Sequence, residues 1–150
     1  MHPTIPIQIL IQLVRQNFQL LKNVTDMLHQ PISITAAMRA VMEHISQNGP
    51  QTVPQIARSK LVTRQHIQQI VDILISRGLT ATNHNQHHRR SPIIDFTSAG
   101  RNMFRGMQNQ EEKILQKLQG AMDDSEVTQA ITALSHLKQN LEKLTHHSKI

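Results

Sequence analysis

The chain has 150 residues, a formal charge of +6 and a sequence pI near 10.3; 38% of it is hydrophobic, 17% charged and only 2% aromatic. Such a balance belongs to a folded chain whose core is Leu, Ile, Val, Met and Ala, arranged as one domain or two small lobes sharing a core. The lack of cysteine excludes disulfides, thiolate metal sites and thiol redox sensing. No apolar run reaches the roughly 18 residues of a membrane span. The Ile-rich start, IPIQILIQLV, is broken by glutamines and has no basic n-region, so it is a poor signal peptide. The expectation is a cytoplasmic protein without a membrane partner.

In chain order, residues 5–28 place Ile7, Leu10, Ile11, Leu13, Val14, Phe18, Leu21, Val24 and Leu28 at helical spacing. Pro31 ends that helix. Thr35 is a predicted N-cap for a second helix with Met38, Val41, Met42 and Ile45 on one face, stopped by Asn48-Gly49-Pro50. Thr52 is placed to cap a short helix, VPQIARSK, and another restarts at Arg64 and runs to about Arg77, with Gly78 as its stop. Residues 79–84 and 92–96 read as weak strands around a turn at 85–91, which together predict a β-hairpin. Thr97 is placed to cap a long helix whose seam is Phe104, Met107, Ile114, Leu118 and Ala121, with Glu111 as a polar interruption. After a break at Asp123-Asp124-Ser125, Val127, Ala130, Leu134, Leu137, Leu141 and Leu144 recur at spacings of 3, 4, 3, 4 and 3, a heptad-like seam.

The fold class predicted from this order is mainly α with a small β-hairpin: a winged helix-turn-helix lobe plus long N- and C-terminal helices. The terminal helices carry more apolar surface than so small a lobe needs. Pairing with a second copy is the simplest way to bury it, through Leu10, Leu13 and Val14 at one end and Leu134, Leu137, Leu141 and Leu144 at the other.

The charge distribution points to a partner. Between residues 58 and 105 stand eight Lys/Arg (Arg58, Lys60, Arg64, Arg77, Arg89, Arg90, Arg101, Arg105) against Asp72 and Asp95, which accounts for the whole excess of +6. A basic centre between neutral flanks suits a polyanion. On a wheel of about 100° per residue, Ile67, Ile70, Val71, Leu74 and Ile75 of the predicted helix share one arc. Gln65, Gln68, Gln69, Asp72 and Ser76 lie opposite, with Arg64 and His66 on the borders. Glutamine pairs with adenine in the major groove, and Thr63 with the first N–H groups of the helix can meet a phosphate. A merely solvated helix also shows a polar face, but it more often carries i,i+4 ion pairs than three glutamines. Asp72 is discordant in a phosphate-facing helix; it is expected to point away from the groove or to steady an arginine. Ile73 also lies off the apolar arc, and the wing or a terminal helix is the expected cover. At the hairpin tip, Arg89, Arg90 and Ser91 are placed for a narrow minor groove. The DNA-binding set is therefore Thr63, Arg64, Gln65, His66, Gln68, Gln69, Arg89, Arg90 and Ser91.

TVPQIARSKLVTRQHIQQIVDILISRGL at 52–79 and HRRSPIIDFTSAG at 88–100 resemble the MarR family of winged helix-turn-helix transcriptional regulators. Val71-Asp72-Ile73-Leu74, Gly78-Leu79, Arg89-Arg90 and Thr97-Ser98-Ala99-Gly100 carry the likeness. His88 stands where that family usually has Asp, and Phe96 where it usually has Leu. The first departure removes the usual partner of a wing arginine and implies a looser wing; the second is a modest core change. The resemblance implies a single domain over 1–150, with dimerisation helices at 5–30 and 101–147 and a DNA-binding lobe at 35–100. It further implies a homodimer reading a pseudo-palindromic operator in double-stranded DNA, commonly as a repressor, released when a small-molecule effector enters between lobe and dimer helices.

Ten histidines raise the question of a metal. His84, His87 and His88 cluster in the wing and His146-His147 near the C-terminus, but no HExxH or carboxylate set completes a site, so no metal or other cofactor is expected. No Gly-rich phosphate loop, nucleophile elbow or paired carboxylates are visible, so no catalytic residue is named and no enzyme is expected. The alternative function is a protein-interaction module that uses the winged lobe and the long helices without sequence-specific DNA binding.

Overall fold

The computed structural model describes residues 5–87 and 90–147, apart from the side chains of 146 and 147. The chain divides into two compact units, residues 1–109 and 110–150. No described helix is long and apolar enough to cross a membrane.

The first unit begins with α1 (Pro6–His29), continues through a 3-10 turn (Gln30–Ile32) and enters α2 (Ala36–Asn48). The start of α2 is doubly capped. Thr35 Oγ1 accepts the Met38 N–H at 3.2 Å, and the Asp26 carboxylate, reaching from α1, accepts the Ala36 N–H at 2.5 Å. Both satisfy amides that the helix ladder leaves over. Gly49, at φ +74°, turns the chain out of α2.

A two-residue strand, β1 (Gln51–Thr52), leads into α3 (Val53–Lys60). Thr52 and Gln55 form a reciprocal capping box: Thr52 Oγ1 accepts the Gln55 N–H at 3.4 Å, and Gln55 Oε1 accepts the Thr52 N–H at 2.8 Å. Leu61 then takes a left-handed conformation, φ +55°, and is 91% exposed. A branched residue there costs about 1 kcal/mol, which the tight turn between two helices imposes. Thr63 caps α4 (Arg64–Ser76), its Oγ1 accepting the His66 N–H at 3.1 Å.

Strands β2 (Thr80–Asn83) and β3 (Ile93–Phe96) make the predicted hairpin, antiparallel, with Thr80 opposite Phe96 and Asn83 opposite Ile93. The sheet is wider than the hairpin. β1 pairs with the other edge of β3, giving the order β1-β3-β2. A strand of two residues that doubles as a helix cap has no periodicity to announce it.

The core of this unit comes from α2, α3, α4, β3 and α5 (Ser98–Gly120), the helix that runs on into the second unit. Met42, Ile56, Val71 and Leu74 are fully buried in it, joined by Ile94, Phe104 and Met107. Phe96 lies against Phe104 with ring centroids 5.7 Å apart, and the Arg101 guanidinium covers the Phe96 ring at 5.5 Å. The aromatic ring at position 96 thus gains a partner and a cation that a leucine would not engage. His44 on α2 is also buried, with Nδ1 3.3 Å from the Asn48 side-chain nitrogen. Burial pushes its pKa below the usual imidazole value, nearby Lys60 pushes the same way, and a hydrogen bond with Gln51 opposes them.

The second unit contains the end of α5 and all of α6 (Asp124–His147). The Asp123 carboxylate accepts the Ser125 N–H at 3.1 Å, and Glu126 accepts the Asp123 N–H at 3.3 Å, a capped start for α6. Within it Leu115, Met122, Ile131, Leu134, Leu141 and Leu144 are exposed, while Leu137 is half-buried.

The junction of α4, β2 and α5 turns on one close approach. A Cβ on Gly100 would sit 1.8 Å from the Leu79 carbonyl oxygen, which also accepts the Thr97 N–H at 3.1 Å. Thr97 Oγ1 donates to the Gly78 carbonyl at 2.6 Å and accepts the Gly100 N–H at 3.0 Å. Gly100→Ala must therefore push α5 off the end of α4. The expected loss is about 3 kcal/mol of stability, read as a lower urea midpoint; an unchanged midpoint would contradict this packing.

Candidate nucleic-acid interface

The site is built on α4. Its apolar arc, Ile67, Ile70, Val71 and Leu74, is buried against α2 and α3. That fixes the rotation of the helix, so Arg64, Gln65, His66, Gln68 and Gln69 are all exposed. The Thr63 hydroxyl oxygen accepts the His66 N–H and keeps its own hydrogen as a donor, and the amides of Arg64 and Gln65 beside it lie ahead of the helix ladder. An anion approaching that end meets two N–H dipoles and one guanidinium.

Across from α4 stands the wing. Arg90 is exposed and Ser91 half-buried. Arg89, expected beside them, lies outside the described residues, as does His88. The wing loop is braced from within by Asn85, which is 7% exposed. Its amide donates to the Ser91 carbonyl at 2.9 Å, and its Oδ1 accepts the His87 N–H at 3.0 Å. Asn85 thus joins the two sides of the loop. Nothing in composition or spacing singled it out; an Asn two residues before the histidine pair, in the pattern of an Asx turn, was the available signal.

Two adjoining clefts separate α3 and α4 from the wing. One, of about 510 Å³, is lined by Gln55, Arg58, Arg64, Asn85 and His87 among others. The other, of about 310 Å³, is lined by Arg64, Gln65, Gln68, Arg90 and Ser91 together with Pro54. The structure therefore brings Arg64, Gln65, Gln68, Arg90 and Ser91 around one hollow, with Arg64 shared by both clefts, while Thr63, His66 and Gln69 line neither. Arg58 and Gln55 of α3 join the surface, which the sequence reading had not assigned to them.

Not every central cation faces it. Arg77 is turned to the scaffold: its guanidinium donates to the Ser33 carbonyl at 2.6 Å and the Ile32 carbonyl at 2.7 Å, tying the end of α4 to the turn after α1. Arg101 lies 3.7 Å from Asp95 and over Phe96. Asp72 accepts a hydrogen bond from Gln68 Nε2 at 2.8 Å, so its recorded partner is a glutamine of its own helix and not an arginine. Ile73, for which a cover was expected, is 48% exposed. Among the described residues no cluster of three His, Asp or Glu is placed to hold a metal.

No family model matches the chain. Over 72 residues it is 36% identical to uncharacterised proteins of Mycobacterium tuberculosis and Mycobacterium bovis, a match covering 48% of this chain and 50% of theirs. The chain spans about half the length of the curated relatives it matches. Among solved structures, a MarR family transcription regulator superposes with a TM-score of 0.83 at 20% identity, covering 93% of this chain and 92% of that one. A mutant MarR of Escherichia coli complexed with operator DNA gives 0.76 at 21% identity over 89% and 94% of the two chains. MarR of Staphylococcus aureus in complex with salicylate and kanamycin gives 0.81 at 13% identity over 91% and 92%. At these identities the likeness establishes the fold: this chain has the winged-helix fold of the MarR regulators, long terminal helices included.

The reassignment of Arg77 is testable. Arg77→Ala leaves two backbone carbonyls without their charged donor and is expected to lower the stability of the lobe by about 1–2 kcal/mol in urea denaturation. Arg90→Ala, at an exposed position without such bonds, should stay within about 0.5 kcal/mol of the parent.

Proposed function

We propose that the protein is a sequence-specific regulator that binds double-stranded DNA as a homodimer. The observation that carries this reading is the shared hollow of Arg64, Gln65, Gln68 and Arg90, which joins the polar edge of a short helix to the cationic flank of a wing. A helix of this width enters a major groove, where the amides of Gln65, Gln68 and Gln69 meet base edges. Arg90, with Arg89 beside it in sequence, takes the adjacent minor groove, and Arg58 and the α4 N-terminus meet phosphates. The resemblance of the fold to a regulator complexed with operator DNA supports the same reading.

Dimerisation follows from uncovered apolar surface. On α1, Leu13, Phe18, Leu20, Leu21 and Met27 are exposed, as are Leu134, Leu141 and Leu144 on α6. A second copy related by a twofold axis would bury both sets and present two reading helices to a pseudo-palindrome. Repression by occupying a promoter, relieved when a small molecule binds, is the mode we infer; the ligand complex of the Staphylococcus aureus protein supports it. The regulator reading also makes the protein a non-enzyme acting in the cytoplasm.

Selection of bound duplexes from a random pool tests the whole reading. A symmetric motif is expected; a pool left unenriched would reject it. Affinity for the selected duplex should fall steeply with salt, since each neutralised phosphate releases counterions. A protein-interaction module would instead bind duplex weakly at every salt concentration. Arg90→Ala should weaken binding to many sequences by about 1–3 kcal/mol, whereas Gln69→Ala should cost less and relax preference at one base position. Leu137→Glu, within the α6 seam, should shift the protein toward monomer in sedimentation; a fully dimeric variant would place the interface elsewhere.

A further inference from the structure

We infer that Asp72 is a positioning residue for base recognition: it fixes which way round the Gln68 amide presents its edge to the DNA. The inference rests on the reading of α4 as the recognition helix.

Asp72 is anomalous if α4 contributes only cations and amides. A carboxylate on the exposed side of a DNA-reading helix repels phosphate and lowers affinity for every sequence. Its recorded contact is with Gln68, one turn earlier, whose Nε2 donates to Asp72 Oδ1 at 2.8 Å. The chemistry of that bond has one sense only. An ionised carboxylate has no proton to give, so the nitrogen end of the amide must face it. An unaided glutamine amide can rotate by half a turn at little cost, exchanging its oxygen and nitrogen ends. With Asp72 in place that exchange would set Oε1 against a carboxylate oxygen, two acceptors in contact.

The consequence lies at the other end of the side chain. Gln68 lines the hollow between α4 and the wing together with Arg64, Gln65 and Arg90. One amide hydrogen is committed to Asp72; the carbonyl oxygen and the second amide hydrogen remain as an acceptor and a donor in a fixed order. In the major groove adenine offers the complementary pair, its N6 amino group and N7. Guanine offers two acceptors there, thymine an acceptor and a methyl group, and cytosine an amino donor without N7. A fixed order therefore favours adenine, and adenine on one strand over adenine on the other. Asp72 gives up general affinity and gains discrimination at one base pair of each half-site.

The test uses the full-length protein and a duplex selected from a random pool, with all four base pairs placed in turn at each position, at one salt concentration. Asp72 is exposed, so Asp72→Asn is expected to keep the parent's urea midpoint. Asparagine can donate or accept, which frees the Gln68 amide to turn. Asp72→Asn should then bind a random duplex a few-fold more tightly, because a negative charge is gone. It should also lose about tenfold of the preference at one base pair. Gln68→Ala should flatten that same position, and adding Asp72→Asn to Gln68→Ala should change the preference there no further. Retention of full preference by Asp72→Asn, or flattening at a position that Gln68→Ala leaves intact, would overturn the role given to Asp72 while leaving DNA binding in place. Failure of the parent to bind any duplex overturns both this inference and the function it rests on.

Discussion

The rest of the molecule depends on how α4 is held. Its four buried residues, Ile67, Ile70, Val71 and Leu74, are inserted into a core shared with α2 and α3. Each such side chain contributes about 1.5–3 kcal/mol when fully buried. Rolling the helix by a quarter turn would bring glutamines into that core and forfeit most of this stabilisation. The rotation of the polar face is thus set by apolar packing on the opposite side, and no polar contact is needed to impose it. Arg77 adds the axial constraint, anchoring the end of α4 to the carbonyls of Ile32 and Ser33.

The wing is positioned by different means. β3 is the middle strand, paired on one side with β2 and on the other with the residues that cap α3. The hairpin is therefore registered against the helix-turn-helix and does not hang from it alone. At its base, the Gly100–Leu79 approach and the Thr97 hydroxyl lock the exit of α4 to the entry of α5. At its far end, Asn85 bonds to the Ser91 carbonyl across the loop. The base of the loop thus has an internal brace made by an amide side chain. The cationic hollow lies between two walls, one helical and one sheet-like, joined through the pairing of β1 with β3.

Charge within the central third divides accordingly. A count of lysines and arginines treats eight cations alike, yet the fold sorts them. Arg58, Arg64 and Arg90 border the clefts, while Arg77 and Arg101 are turned to carbonyls, a carboxylate and a ring. Among the described residues, Arg77 and Arg101 do not face the clefts, and Arg58, Arg64 and Arg90 carry the field there. Each of those groups matters more to the proposed association than a uniform basic patch would allow.

The sequence by itself determined the order of the helices and of the hairpin and the faces that α2 and α4 bury, whereas the apolar stripes it marked on α1 and α6 are mostly exposed. Helical spacing marked α1, α2, α4, α5 and α6; Thr35, Thr52, Thr63 and Thr97 marked starts through hydroxyls that can satisfy a free amide; Gly49 and Gly78 marked ends. These signals are local, a few residues wide, and so are written in the chain. What only the tertiary structure decided is what depends on residues far apart in sequence: the pairing of β1 with β3, the seating of Gly100 on Leu79, the capture of Arg77 by the turn after α1, and the hollow where Arg64 meets Arg90. Asp72 and Gln68 stand only one turn apart, and the bond between them was still missed, because spacing gives proximity but does not say which of several neighbours a side chain will choose. Partner choice depends on rotamers, and rotamers are settled by everything packed around them.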